Sequence, residues 1–384
     1  MDFSLPEDVV VLQKTIRDFV RKEIEPVADR IDKEEWFPEP IIRKAGEIGL
    51  LGIPFPEEYG GTGLGDIAYC VLNEEVAYSS AAVGTIIGAH IGIACKSIFY
   101  YGTEEQKQRF LVPLAKGEKL GAFALTEPEA GSDASNIKTT AAPDGGDYIL
   151  NGTKIWITNG AKADVVIVYA SVPRSENHHG GITAFIVEKR TPGFSVGSIE
   201  HHMGIRGSST AELVFEDCRV SAENRLGDEG AGFAIAMKAL DAGRIGLGAG
   251  CVGMAQRCLD MSIDFARQRV QFGQPIIKQQ AIQFKLAEMA TEIHAARQMV
   301  YHAAWLLDTG QKATMQSAMV KLFCSQMANR CAYQAVQIHG GMGYMTDYPV
   351  ERFYRDVRVT EIYEGTSEIQ KLVIAMQLLR EKRK

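Results

Sequence analysis

Apolar side chains recur every three to four residues over the first third of the chain, then on alternating positions, then every three to four again. Val10, Ile16, Phe19, Val20 and Ile24 lie near one face of a predicted helix that ends before Pro26. Another helical pattern runs over 71–78 and on past Ile98, and the connection Ile53-Pro-Phe-Pro-Glu-Glu-Tyr-Gly-Gly-Thr-Gly63 has turn chemistry throughout. The character changes near Gly121. Short β-rich runs at 148–150, 155–158, 165–170, 183–187 and 212–215 are separated by turn signals such as Asp144-Gly145-Gly146, Asn151-Gly152 and Asn159-Gly160. That segment is too short for many βαβ units, so a small antiparallel barrel or sandwich is expected. After Gly232 one stripe runs through Phe233, Met237, Leu240, Leu247, Cys251, Met254, Cys258, Met261 and Phe265, and another through Ile282, Leu286, Met289, Ile293, Ala296, Val300, Ala303 and Leu307. With a third helix over 315–338 and a shorter one after Thr366, they predict an antiparallel bundle. The expected fold class is α+β and mainly α, with an N-terminal helical domain at 1–120, a middle antiparallel β-domain at 121–228 and a C-terminal helical bundle at 229–384.

Length and composition narrow the picture. At 384 residues, with 46% hydrophobic and 23% charged side chains, the chain can bury a core in each of these units, which excludes a disordered chain or a miniprotein. A net charge of -7 argues against nucleic acid or an anionic membrane as the main partner. No apolar run is read as approaching the roughly 18 residues of a membrane span, because Gly and polar residues interrupt even 81–94. Asp2, Glu7 and Asp8 stand where a secretory signal would carry basic residues, so a cytoplasmic location is expected, or the mitochondrial matrix if a transit peptide has been removed. The seven cysteines form no C-x-x-C pair and read as reduced core residues.

Several segments could carry chemistry. In Phe123-Ala-Leu-Thr-Glu-Pro-Glu-Ala-Gly-Ser-Asp133, Thr126, Ser132 and the backbone near Gly131 could donate to a phosphate or a heteroaromatic ring, while Glu127 before Pro128 suits a plain turn. Strand alternation over Trp156-Ile157-Thr158 would put a ring and a hydroxyl on one face, for a flat cofactor or simply for a strand. Arg244 interrupts the first apolar stripe with Asp241 one turn earlier, so the pair serves either a ligand or the fold. Glycines 243, 246, 248, 250 and 253 weaken that helix by roughly 1 kcal/mol each, which asks for close contacts in return. Gln337-Ile-His-Gly-Gly-Met-Gly343 reads as a helix end or a ligand approach. In Tyr363-Glu-Gly-Thr-Ser-Glu368, Thr366 and Ser367 suit a helix cap, and Glu364 by composition would be a solvated turn residue. His178-His179 and His201-His202 read as surface pairs, and no metal site is expected.

In order along the chain, Leu125-Thr-Glu-Pro-Glu-Ala-Gly-Ser-Asp133, Gly152-Thr-Lys-Ile-Trp-Ile-Thr-Asn-Gly160, Leu240-Asp-Ala-Gly-Arg-Ile-Gly246, Arg269-Val-Gln-Phe-Gly273, Gln337-Ile-His-Gly-Gly341 and Ile362-Tyr-Glu-Gly-Thr-Ser-Glu368 resemble the acyl-CoA dehydrogenase family, most closely its short-chain, butyryl-CoA-oxidising branch. The resemblance implies FAD, a homotetramer in which a neighbouring subunit completes each flavin site, an acyl-CoA substrate, and electron-transferring flavoprotein as acceptor. It implies flavin contacts from Phe123, Leu125, Thr126, Ser132, Trp156, Ile157 and Thr158. Arg269, Phe272, Gln280, Gln337, Ile338, His339, Gly340 and Gly341 would meet the adenosine diphosphate part, joined by Thr366, Ser367 and Glu368. Ser132, Asp241, Arg244 and Gly365 would contact substrate, and Glu364 matches the catalytic base. Some branches carry that base just before the helix Arg, where this chain has Gly243, and many relatives have Gly where this chain has Glu129.

Overall fold

The computed structural model describes residues 4–176 and 178–381. Asp2, read above as part of an acidic start, lies outside them. Helix Glu7–Phe19 continues as the wider-turned segment Val20–Ile24. Its buried face is Val9, Ile16, Phe19, Val20 and Ile24, whereas Val10 is exposed. Two helical turns separate Val9 from Ile16, so Val9 and not Val10 belongs to the stripe.

Helix Gly65–Ser79 is followed by a break at Ser80, whose extended backbone and Oγ, accepting from the Val83 N–H at 3.4 Å, start the next helix. From Ala81 the chain stays helical to Tyr101, and the most apolar 18-residue window of this 21-residue rod has mean hydropathy 1.5. By length and composition it could cross a membrane, contrary to the expectation that its glycines would interrupt it. Glycine lowers helix propensity but is not polar enough to break an apolar surface. Of its most apolar window, 78% is buried inside the protein, and it serves as a core helix.

The middle of the chain forms β1 (Gly121–Ala124), β2 (Thr140–Asp144), β3 (Asp147–Thr158), β4 (Val165–Val172), β5 (Gly181–Glu188), β6 (Phe194–Ile199), β7 (Thr210–Val220) and β8 (Arg225–Leu226). They make one sheet in the order β6-β7-β3-β2-β4-β5-β8, with β1 pairing β4. Pairing is antiparallel except where β1 and β2 lie beside β4, which is parallel. The runs at 148–150 and 155–158 are one strand, β3, kinked by register shifts at Leu150/Gly152 and Lys154/Ile157. The sequence pattern hides β1, β2, β6 and β8, because they are short or, as in β6, lack a buried face. Strand β4 is buried on both sides: Val166, Val168 and Ala170 join Phe185, Leu213 and Phe215 inside the sheet, while Val165, Ile167 and Tyr169 join the helical core. That shared strand fixes the sheet against the helices.

Helix Gly232–Gln268 packs with Gln280–Asp308 and Thr314–His339, Ser367–Glu381 packs on Thr314–His339, and an unanticipated helix Val350–Val357 joins them. The long helix is buried beyond its predicted stripe, through Ile235, Ala236, Ile245 and Val252, while Phe233 at its start is 38% exposed. Three glycines explain how neighbours come so near. A Cβ at Gly246 would lie 2.5 Å from the Tyr69 Oη, at Gly248 2.3 Å from a Val320 methyl, and at Gly253 2.0 Å from the Glu74 carbonyl oxygen. All seven cysteines are free and buried.

Gly253→Ala improves helix propensity yet drives a methyl into a backbone carbonyl that cannot step aside. We expect a loss of about 1–3 kcal/mol, read by denaturant unfolding.

Candidate active site

A cavity of about 1310 Å³ opens between the sheet, the long helix and the turn before the last helix. Its walls include Phe123, Leu125, Thr126 and Ser132 from the loop after β1, Trp156, Ile157 and Thr158 from the end of β3, Asp241 and Arg244 from the long helix, and Glu364, Gly365 and Thr366 from the turn. Segments far apart in sequence therefore meet at one place.

The loop after β1 is held from below by a buried ion pair. Lys154 Nζ lies 2.7 Å from Glu127 Oε1 and donates to the Leu125 carbonyl at 3.1 Å, while Glu127 accepts the backbone N–H of Thr139 at 3.0 Å and that of Lys138. Glu127 does open a tight turn, closed by paired backbone bonds with Ala130, but at 3% exposure its side chain is buried and bonded, which a plain turn residue would not be. Burial pushes the Lys154 ammonium down to about 8, with Glu127 opposing. Lys154 was legible as a charge within a β-run and went unused. Glu129 is exposed, so its charge faces solvent and not the cavity.

Trp156 has φ +56° and stays 62% exposed. It sits in the β3 kink, so Trp156 and Thr158 share the cavity through a bulge and not through simple alternation. Among the described residues the hydroxyls of Thr126, Ser132 and Thr158 make no hydrogen bond. An open indole beside unused hydroxyls suits a flat heteroaromatic group with a polar edge.

Arg244 is 4% exposed, with Nη1 3.3 Å from Asp241 Oδ1 and Nε donating to the Glu364 carbonyl at 3.2 Å. Asp241 also accepts from Thr314 Oγ1 at 2.7 Å and Ser317 Oγ at 3.2 Å. The ion pair and the approach to the cavity coexist, so the two readings of Arg244 are not exclusive.

Glu364 is not solvated as composition alone suggested. Its backbone is left-handed at φ +53°, its N–H donates to no described group, and its buried Oε2 has no hydrogen-bond partner. A Cβ at Gly243 would come within 2.7 Å of that oxygen, so the missing side chain makes its room. Burial pushes the Glu364 carboxyl up to about 7, with Arg244 and Lys321 drawing it back. Lys321 itself is fully buried without a hydrogen-bond partner and is pushed down to about 8 by burial. It follows Thr314 and Ser317 on one helix face, a charge at an apolar register that sequence reasoning missed.

Thr366 caps the last helix, its Oγ1 accepting from the Ile369 N–H at 3.4 Å. Ser367 is buried and Glu368 exposed, and neither lines the cavity. Arg269, Phe272, Gln280, Gln337, Ile338, His339, Gly340 and Gly341 do not line it either. They belong to the other end of the long helix, where the Phe265 ring stacks on His339 at 4.3 Å and Phe272, 95% exposed, tips a hairpin. At ~1.5 Å per residue, Arg269 is roughly 39 Å along the helix from Gly243, so one chain does not bring the two groups together. Of the histidine pairs, His178 bonds Glu229 at 2.8 Å and His201 bonds Glu35 at 2.6 Å, but His202 is half-buried in the cavity wall and not a surface residue.

Family models for the acyl-CoA dehydrogenase N-terminal, middle and C-terminal domains match residues 6–118, 122–218 and 230–379. The chain belongs to the acyl-CoA dehydrogenase family, whose members are oxidoreductases. It is 50% identical over 373 residues to an acyl-CoA dehydrogenase of Bacillus subtilis, covering 97% of this chain and 98% of that one. It is 48% identical over 377 residues to the short-chain specific mitochondrial enzyme of Rattus norvegicus, covering 98% and 91%. Butyryl-CoA dehydrogenase from Megasphaera elsdenii superposes with a TM-score of 0.96 at 45% identity, covering 99% of this chain and 100% of that one. A chain from a structure described as the electron transferring flavoprotein of Acidaminococcus fermentans gives 0.97 at 47%, covering 99% and 100%. The Bacillus anthracis acyl-CoA dehydrogenase complexed with FAD gives 0.94 at 40%, covering 99% and 68%.

The raised carboxyl of Glu364 makes a stability prediction. Between its ordinary value of 4.5 and about 7 the folded chain holds this proton more tightly than the unfolded chain does. Its contribution is therefore fully present below 4.5 and lost as pH rises through 7. Glu364→Gln, which cannot ionise, should melt higher than the native chain at pH 8, with the gain shrinking toward pH 5, in thermal scans at equal cofactor content.

Proposed function

We propose that the protein binds FAD and dehydrogenates a short- to medium-chain acyl-CoA to the trans-2-enoyl-CoA. The observation that carries this reading is Glu364 in the wall of a large cavity, with its Oε2 free of any hydrogen-bond partner and its carboxyl poised near neutrality. FAD, when bound, supplies the acceptor for the β-hydrogen and its electron pair. Glu364 takes the α-proton on its free carboxylate oxygen, and the electrons of that C–H bond form the Cα=Cβ double bond. The unused N–H of Glu364 is available to the thioester carbonyl, whose oxygen gains charge as the α-proton leaves. Arg244 fixes the turn through the Glu364 carbonyl and, with Asp241, Ser132 and Gly365, meets the substrate.

Phe123, Leu125, Thr126, Ser132 and Trp156 to Thr158 hold the flavin ring on this reading, and Thr366, Ser367 and Glu368 its phosphates. Arg269, Phe272, Gln280 and Gln337 to Gly341 serve the adenosine end of a neighbouring subunit's cofactor within a homotetramer. Their distance from the same chain's cavity supports this arrangement. The chain divides into domains at 1–120, 121–228 and 229–384. Electrons pass to electron-transferring flavoprotein, a proposal supported by the similar chain in a structure described by that protein's name. Bacterial and mitochondrial relatives support a cytoplasmic or matrix location.

The purified protein should be yellow with about one FAD per chain, bound in the apolar cavity with its few polar groups. A colourless chain that cannot be reconstituted with FAD removes the cofactor assignment. Glu364→Gln should keep FAD and bind substrate yet lose at least about 10²-fold in anaerobic flavin bleaching by butyryl-CoA, followed by stopped flow. In the native enzyme kcat/KM should rise with pH through about 7, because the ionised carboxylate is the base, and this rise should vanish in the variant. Bleaching at the native rate would mean that another group removes the proton.

A further inference from the structure

The part of the cavity beyond Glu364 is built by glycines and alanines on converging helices. At its near end Gly243 abuts Ile93, where a Cβ would lie 2.6 Å from a methyl, and leaves space for the Glu364 oxygen. At its far end a Cβ at Gly84 would meet the Ala77 methyl at 3.3 Å, and one at Gly250 would meet that same methyl at 3.6 Å and nothing else within 4 Å. The rod Ala81–Tyr101 and the long helix therefore run antiparallel along the passage, with 93 beside 243 and 84 near 250. Ala77, Gly84, Gly88, Gly250 and Met254 all face the cavity. Gly246 and Gly253 on the same helix are filled by neighbours, whereas a Cβ at Gly250 would meet only the Ala77 methyl, at an ordinary contact distance.

The length of the passage can be read from helix rise. Seven residues from Gly243 to Gly250 make roughly 10 Å, and eleven to Met254 make roughly 16 Å, at ~1.5 Å per residue. An extended chain of ~1.5 Å carbon–carbon bonds advances roughly 1.3 Å per methylene, so the passage spans about 8 to 12 carbons beyond the site of proton removal. A butyryl group fills only its first few ångströms. The bare, buried Oε2 of Glu364 at the near end marks where a reacting chain would start.

Resting on the acyl-CoA reading above, we propose that this site takes straight acyl chains of about ten to fourteen carbons, and that the small residues Ala77, Gly84 and Gly250 at the far end of the cavity wall set that range. This distinguishes it from the short-chain preference in the names of its similar relatives. A wall that ends in glycine and alanine gives the chain length to accept, and each methylene buried in it adds affinity.

Two measurements test it on the FAD-loaded enzyme. Unreactive S-alkyl-CoA thioethers from butyl to dodecyl should bind about fourfold more tightly per added methylene up to at least octyl. Native kcat/KM for octanoyl-CoA should equal or exceed that for butyryl-CoA. Gly250→Leu, at a position with room for a side chain, should lower the octanoyl-to-butyryl ratio at least about tenfold and end the affinity rise at a shorter alkyl chain. Ala77→Val closes the same point from the opposite helix and should do likewise, should the first variant fail to fold. Thioether affinity that levels off at butyl, or a native octanoyl rate a tenth of the butyryl rate, overturns the proposal. So does a ratio that neither variant changes. Thioether binding that lengthens as expected, without turnover of any acyl-CoA, leaves the passage standing and removes the role given to Glu364.

Discussion

A carboxylate can lie bare against an apolar helix only where the helix leaves a gap, and position 243 is that gap. Any side chain there would strike both Ile93 and the Glu364 oxygen. The turn that delivers Glu364 is correspondingly tight: it takes a left-handed backbone, is tied by its carbonyl to Arg244 and to the Gln370 amide at 3.3 Å, and Gly365 follows at φ +93°. Arg244 in turn is held by Asp241, and Asp241 by two hydroxyls of the next helix. Removing a member of such a buried chain exposes the others to an unbalanced charge in a medium that solvates charge poorly.

Burial acts in opposite directions on the acid and the bases. It raises Glu364 and lowers Lys321, so each moves toward the pH at which the other titrates. Lys154 and Glu127 beneath the loop after β1 differ: burial lowers Lys154, but for Glu127 the push of burial upward is outweighed by the Lys154 bond and the backbone N–H of Lys138, so that carboxyl stays below its ordinary value and the pair stiffens the loop while leaving its hydroxyls free. One ion pair thus supports the part of the wall that must stay rigid, and the other charges surround the group that must change protonation.

Most of the architecture was legible because helices and strands repeat with different periods. The long helices followed from their stripes, and the change to strands followed from alternation and turn chemistry. Boundaries failed where periodicity was silent: Val9 and Val10 are adjacent valines, and β6 has no buried face to announce it. Chemistry was harder to read. Glu364 looked like a solvated turn residue until its motif was recognised, because burial is a tertiary property. Glu127 and Lys154 are 27 positions apart, and nothing local says that they meet. The bulge at Trp156 reverses a residue's face without any glycine to signal it. The membrane-like rod was misread in the other direction, because its glycines suggested an interruption that the surrounding helices do not require.

That rod has a consequence for how the chain is made. Ala81–Tyr101 carries an apolar surface that is covered in part by helix Gly65–Ser79 and β1 and in part by the long helix, roughly 150 residues further on, which leaves the ribosome roughly 8–30 s later at ~5–20 residues per second. For that interval a helix with the hydropathy of a membrane span lacks one of the partners that enclose it. The small residues that leave space for a ligand in the finished protein also leave this helix few side chains of its own for early packing. The open cavity and the late completion of this helix's burial thus come from the same small residues.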